Sequence, residues 1–160
     1  MTKEEAYKKL SSLCSSGEHC RSELNEKMKR WGMDRHDIDH VITRLEQEDF
    51  LNEERFCRAF INDKLRFDKW GRIKIGQALQ VKKIPTEKYR SLLSNIDEEA
   101  YTDMLKGLLK SKCRSLHTQD AIEMKAKLIR FAQSRGFEMR FINACIELLE
   151  LPNMGKSEDD

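Results

Sequence analysis

Six apolar columns recur three times along this chain, and that recurrence restricts the possible folds more than any other feature. Leu24, Met28, Met33, Ile38, Val41 and Ile42 are matched 51 residues later by Ile75, Leu79, Ile84, Tyr89, Leu92 and Leu93. They are matched again 104 residues later by Leu128, Ala132, Phe137, Ile142, Cys145 and Ile146, and Gly136 falls on Gly32. Every column is apolar or small in all three copies. A repeat of about 51 to 53 residues, with apolar positions three and four apart, predicts a tandem array of helical units.

The helix boundaries follow from local chemistry. In the first copy, Thr2 and Glu5 form a capping box for a helix carrying Ala6, Tyr7, Leu10, Leu13 and Cys14, which ends at Ser15, Ser16 and Gly17. A second helix from about Cys20 to Trp31 buries Leu24 and Met28 and stops at Gly32. A third, from Asp34 to about Glu48, presents Ile38, Val41, Ile42 and Leu45. In the middle copy Asn52 caps a helix whose first turn holds Glu53 and Glu54, where carboxylates favour the positive end of the dipole. Its apolar half-wheel is Phe56, Cys57, Phe60, Ile61 and Leu65, interrupted by Lys64, whose ammonium must snorkel outward. The stretch Asp68 to Gly71 breaks the helix, and Gly71 can cap a second one from Arg72 to about Lys83, with Ile75, Ala78 and Leu79 inward. The last copy begins with a helix from about Glu98 to Lys112, followed by a longer loop from Arg114 to Gln119. The expected fold is all-α, an elongated tandem array of three three-helix repeats. The repeats cover 1–50, 51–96 (the basic one) and 97–151, Pro152 stops the last helix, and 152–160 is expected to be a disordered acidic tail.

The second and third helices of a unit carry a spacing familiar from helix-turn-helix packing: Met28, Gly32, Ile38, Val41 in one case and Ala132, Gly136, Ile142, Cys145 in another, with Lys83 replacing the Gly in the middle copy. This spacing serves either to fold two helices together or to present a helix to DNA. A helix reading the major groove needs donors on its N-terminal exposed face. The first copy shows Asp34, Asp37 and Asp39 there, which phosphates repel, so helix packing is the preferred reading.

Charge is unevenly distributed. The net charge of +2 conceals a middle segment, residues 51–96, with 11 Lys+Arg against 5 Asp+Glu, while the flanking segments are each net negative. On the middle copy's first helix Arg55, Arg58, Arg66 and Lys69 share a narrow arc opposite the apolar face, and Arg72 and Lys74 follow on the next helix. Such an arc is either a solvated face or a surface for a polyanion or acidic partner. Trp70 sits at the break beside these cations and is a candidate partner contact, whereas Trp31 reads as core at a helix end.

Other chemistry is missing. Five cysteines (Cys14, Cys20, Cys57, Cys113, Cys145) at irregular spacings argue against a disulfide framework, with Cys57 and Cys145 reading as core. Cys14, His19 and Cys20 lack a second pair for zinc, and the His36/His40 pair lacks a third ligand. No phosphate-binding loop, dinucleotide fingerprint or nucleophile elbow appears, so neither catalysis nor a cofactor nor a metal is expected. With no apolar membrane-length run and a charged N-terminus, the chain is expected in the cytoplasm, off the membrane and monomeric.

One stretch is similar to a known family. Arg21, Ser22, Glu23 and Leu24, then Ile42 and Leu45, then Leu51-Asn52-Glu53-Glu54-Arg55-Phe56-Cys57 and Gly71 resemble the pattern of the RecX regulatory proteins of bacterial recombination, and the likeness runs from about Ala6 to Leu149. Asn52 and Glu53 stand where that family usually has two Asp, and Cys57 where it has Ala; both changes keep cap and packing. The last third matches only in pattern. The resemblance implies a modular all-helical protein that binds the RecA filament on single-stranded DNA and inhibits its ATP hydrolysis and strand exchange, with weak direct DNA contact as a further expectation. The family has no catalytic motif to carry over. Arg55, Arg58, Arg66, Lys69, Arg72 and Lys74 are therefore expected as contact residues from charge and periodicity alone. The alternative is a helix-turn-helix protein acting directly on duplex DNA.

Overall fold

Among the described residues, three α-helices form in each third of the chain. The computed structural model describes residues 1–149 and Leu151. It contains α1 (Lys3–Ser16), α2 (Arg21–Arg30), α3 (Arg35–Gln47), α4 (Glu53–Asp63), a π-helical turn (Lys64–Asp68), α5 (Arg72–Val81), a 3-10 turn (Thr86–Lys88), α6 (Arg90–Ser94), α7 (Glu98–Ser115), α8 (Ala121–Ser134) and α9 (Met139–Glu147). No strand occurs among the described residues, and the protein is all-α. The expected helix stop at Pro152 and the acidic tail lie outside the described residues. No helix among those described is long and apolar enough to cross a membrane.

Side-chain caps explain several helix starts, those at Thr2 and Asn52 as predicted. The Glu5 amide donates to Thr2 Oγ1 at 3.1 Å, the Asp37 amide to Asp34 Oδ1 at 2.9 Å, and the Arg55 amide to Asn52 Oδ1 at 2.9 Å. Each such cap contributes about 1 kcal/mol. The ends of α2, α5 and α8 share one geometry. Met33, Ile84 and Phe137 donate their amides to the carbonyls of Met28, Leu79 and Ala132, five residues back. The residue before each has positive φ: Gly32 at 79°, Lys83 at 61° and Gly136 at 91°. This is the Schellman closure, repeated at the register the apolar columns define. At Lys83 a lysine holds a backbone shape that disfavours a Cβ by about 1–2 kcal/mol.

The chain divides into two compact units, Met1–Asp63 with Gly76–Ser94, and Lys64–Ile75 with Asn95–Asp160. The middle stretch is therefore shared between them: the chain leaves the first unit where α4 gives way to the π-helical turn and returns within α5.

In the first unit, α1 and α2 both pack on α3. Ala6, Leu10, Leu24, Met28, Val41, Ile42 and Leu45 are at most 1% exposed. Each large aliphatic side chain buried this way contributes about 1.5–3 kcal/mol. Trp31 packs half-buried against this core, as expected for a helix end. Within the same unit α4 packs against α6 and the 3-10 turn, with Phe56, Cys57 and Ile61 inward.

In the second unit, α7, α8 and α9 bury Leu105, Leu109, Met124, Leu128, Ala132, Ile142 and Cys145, and Leu65 joins them half-buried. The first turn of α5 is seated against the loop after α8. Gly71 donates its amide to Arg135 O at 2.7 Å, and Ile73 to Gly136 O at 3.0 Å. A Cβ on Gly71 would lie 2.4 Å from Gly136 O, and one on Gly136 2.3 Å from Lys74 Cβ, so this crossing needs glycine on both sides.

Candidate interaction surface

The six cations predicted as contact residues fall into different environments. Arg55 and Arg58 belong to the first unit, whereas Arg66, Lys69, Arg72 and Lys74 belong to the second.

Arg55 fastens the corner between α3 and α4. Its Nε donates to Glu18 Oε2, Nη1 lies 3.3 Å from Asp49 Oδ2, and Nη2 donates to the carbonyls of Asp49 at 3.0 Å and Phe50 at 3.3 Å. Next to it Glu53, expected only to offset the dipole of its own helix, is buried and accepts the Arg21 amide at 3.0 Å. One carboxylate thus opens α4 and caps α2, which has no cap of its own at Cys20. Arg58 forms an exposed pair with Glu54 at 2.8 Å, contributing about 0.3–0.5 kcal/mol.

Arg72 is built into the second unit. Its Nη1 meets Glu138 Oε2 at 2.9 Å, its guanidinium carbon lies 4.3 Å from the centre of the Tyr101 ring, and its side chain is only 13% exposed. The Tyr101 hydroxyl donates to Glu138 Oε1 at 2.5 Å and accepts the Arg72 amide at 2.9 Å. Burial, and after it the hydrogen bond to Glu138, push the Tyr101 phenol well above its ordinary 10.0. Lys74 donates to Ser134 O at 3.3 Å.

Arg66 and Lys69 differ. They lie in and just after the π-helical turn, where the ladder of α4 widens and the straight-helix arc is lost. Trp70 closes this segment by donating its amide to Lys64 O at 3.1 Å, and Lys69 is left at φ 56°. Lys64 pairs with Asp68 at 3.0 Å, which accounts for the one lysine that spoiled the apolar face and for the one acid of the turn. Arg66 and Lys69 are exposed, and among the described residues neither has a carboxylate within ion-pair distance. Between them Phe67 is 70% exposed, with the Arg66 guanidinium 5.5 Å from its ring centre. Trp70 is half-buried, its ring flanked by the ammoniums of Lys64 at 4.6 Å and Lys74 at 4.7 Å.

Sequence reasoning missed Phe67, because a continued α-helix would place it on the apolar face between Phe56 and Phe60, and nothing local announces the π-helical turn that leaves it exposed. The remaining candidates are accounted for structurally. Cys57 and Cys145 are fully buried, and burial pushes the Cys57 thiol up to about 11. Cys14 and Cys20 are also buried, with thiols raised by burial. His19 Nδ1 lies 2.9 Å from Glu23, which also takes Lys82 at 3.1 Å. Asp34, His36 and Asp37 bring their polar atoms within 4.8 Å of one another on an exposed rim, where Asp34 already caps α3.

Comparison with known proteins supplies the family. A family model described as "RecX, second three-helix domain" matches residues 52–89, the stretch running from the Asn52 cap to Tyr89. A curated "Regulatory protein RecX" of Acinetobacter baylyi is 30% identical over 141 residues, covering 87% of this chain and 84% of that one. Another, from Clostridium perfringens, is 31% identical over 129 residues, and the match spans 79% of this chain but 60% of that longer relative. Among solved structures, the crystal structure of RecX from Lactobacillus salivarius superposes with a TM-score of 0.83, covering 92% of this chain and 96% of that one at 16% identity, which is a likeness of fold. The repeats, the Leu51–Cys57 junction and a 30% identity spanning most of a curated relative agree, and the chain belongs to the RecX family of regulatory proteins.

Proposed function

We propose that this protein is a negative regulator of homologous recombination that binds the RecA filament on single-stranded DNA and inhibits its ATPase and strand exchange. The observation that carries this reading is the family match, 30% identity across 84% of a relative named as a regulatory protein. The cationic middle segment supports it: 11 Lys+Arg against 5 Asp+Glu over residues 51–96 suit an acidic protein surface or a phosphate backbone. On this reading 1–50, 51–96 and 97–151 act as successive three-helix repeats that contact more than one protomer. Arg66 and Lys69 are its foremost contacts, because Arg55, Arg58 and Arg72 already have carboxylate partners. Direct reading of duplex DNA is disfavoured by the acidic start of α3, where Asp34 and Asp37 would face phosphates.

The test is RecA-catalysed, DNA-dependent ATP hydrolysis with the protein titrated in. Inhibition at well below one molecule per protomer is expected, together with its loss in the double variant Arg66→Glu, Lys69→Glu at unchanged helicity. An undiminished ATPase at saturating protein would refute the reading.

A further inference from the structure

We infer that the π-helical turn Lys64–Asp68, with Lys69 behind it, is a binding site for single-stranded nucleic acid, in which a base stacks on Phe67 while Arg66 and Lys69 hold the flanking phosphates. This goes beyond the filament reading, because it requires no recombinase.

Three observations converge on the turn. The first is Phe67 itself, a large aromatic left 70% exposed. A phenyl ring in water is unfavourable by about 25 cal/mol for every Å² of apolar surface, and a stacked base removes that surface. The second is charge. Asp68 is the acid of the turn and is taken by Lys64 at 3.0 Å, whereas Arg66 and Lys69, on either side of Phe67, have no carboxylate within ion-pair distance among the described residues. An aromatic face between two unneutralised cations fits a strand that alternates bases with phosphates. A duplex, with its bases stacked on one another, offers no free face to the ring. The third is backbone shape. A π-helical turn ends α4, and a lysine rather than a glycine occupies positive φ at 56° just after it. Strain of this kind clusters where a segment must present side chains in a set direction. Trp70 offers less open face than Phe67, since it is half-buried with Lys64 and Lys74 against its ring at 4.6 and 4.7 Å, whereas Phe67 is 70% exposed with Arg66 at 5.5 Å.

Two kinds of contact give two separable signatures. Stacking is indifferent to salt and requires bases, while each phosphate contact adds about 0.7 to the slope of log affinity against log salt for a single strand. The experiment is fluorescence anisotropy of the full chain with a labelled oligodeoxythymidine and with an abasic oligonucleotide of equal length, at several salt concentrations. The native protein is expected to prefer the base-bearing strand. Phe67→Ala is expected to weaken oligodeoxythymidine binding about tenfold and to erase that preference. Phe67→Trp is expected to keep it, with quenching of the new indole. Lys69→Gly, which also relieves the positive φ, should lower the salt slope by about 0.7 without loss of helicity. Equal binding of both strands by the native protein would overturn the inference. So would a Phe67→Ala variant that keeps its affinity for oligodeoxythymidine but binds DNA-free recombinase more weakly, which would assign the ring to a protein partner. Neither outcome touches the inhibition assay.

Discussion

Arg72 and Arg66 are six residues apart and carry the same charge, yet the structure uses them in opposite ways. Arg72 lies under 13% exposure between the Tyr101 ring and Glu138, where its charge is neutralised and its donors are occupied. Arg66 stands in solvent beside an exposed phenyl ring, with no carboxylate within ion-pair distance among the described residues. The same contrast separates Arg55 from Lys69. The difference teaches that a cationic segment mixes two populations, staples and free charges, and that only the free ones remain available to a partner without first breaking the fold.

The sharpest way to break this comparison is Arg72→Ala. Removing one partner of a largely buried pair leaves Glu138 uncompensated, and the expected destabilisation is about 2–3 kcal/mol, reduced from the fully buried value because Glu138 keeps 22% exposure. Denaturant unfolding followed by circular dichroism measures it; a loss under about 0.5 kcal/mol would mean that Arg72 is as dispensable as a surface charge.

The same network has a pH signature. The folded state holds the Tyr101 proton more tightly than the unfolded chain does, by burial and by the bond to Glu138. Its contribution is therefore complete below the ordinary phenol value of 10.0 and is lost as pH rises past it, because the unfolded chain releases the proton first. The unfolding midpoint is expected to fall above pH 10, and Tyr101→Phe should flatten that fall. Equal slopes in the two proteins would detach Tyr101 from the network.

Smaller effects fill out the series. Arg55→Ala is expected to cost about 1–2 kcal/mol, since it frees Glu18 and two carbonyls at the α3–α4 corner but at a half-exposed site. Arg66→Ala should fall within about 0.5 kcal/mol, as for an ordinary surface substitution. Thermal melts of the two variants side by side decide whether staple and free cation are distinct classes; identical shifts would merge them.

Much of this was legible because it is local. The caps at Thr2 and Asn52 and the closures at Gly32 and Gly136 depend on neighbours within five residues, and the repeat places the equivalent turn at Lys83, which has positive φ. The apolar columns proved to be core at Leu24, Ile75 and Leu128 alike, each fully buried. What could not be read was anything requiring a distant partner. Glu53 as the cap of α2 needs Arg21, 32 residues earlier. The seat of Arg72 needs Tyr101 and Glu138, and the crossing of Gly71 over Gly136 joins positions 65 apart in the chain. The π-helical turn escaped for a different reason: it is a register change of one residue, which leaves composition and average periodicity almost unaltered.

The sequence by itself determined the all-helical class, the capped starts and Gly closures and the threefold repeat, because helix formation and capping are settled by side chains within one or two turns of each other. Tertiary structure alone decided which cations are spent on the fold, how the middle stretch is divided between two units, and that Phe67 stands in water between Arg66 and Lys69. Those outcomes depend on which carboxylates and apolar faces the folded chain brings together, and no local pattern encodes a meeting of residues so far apart.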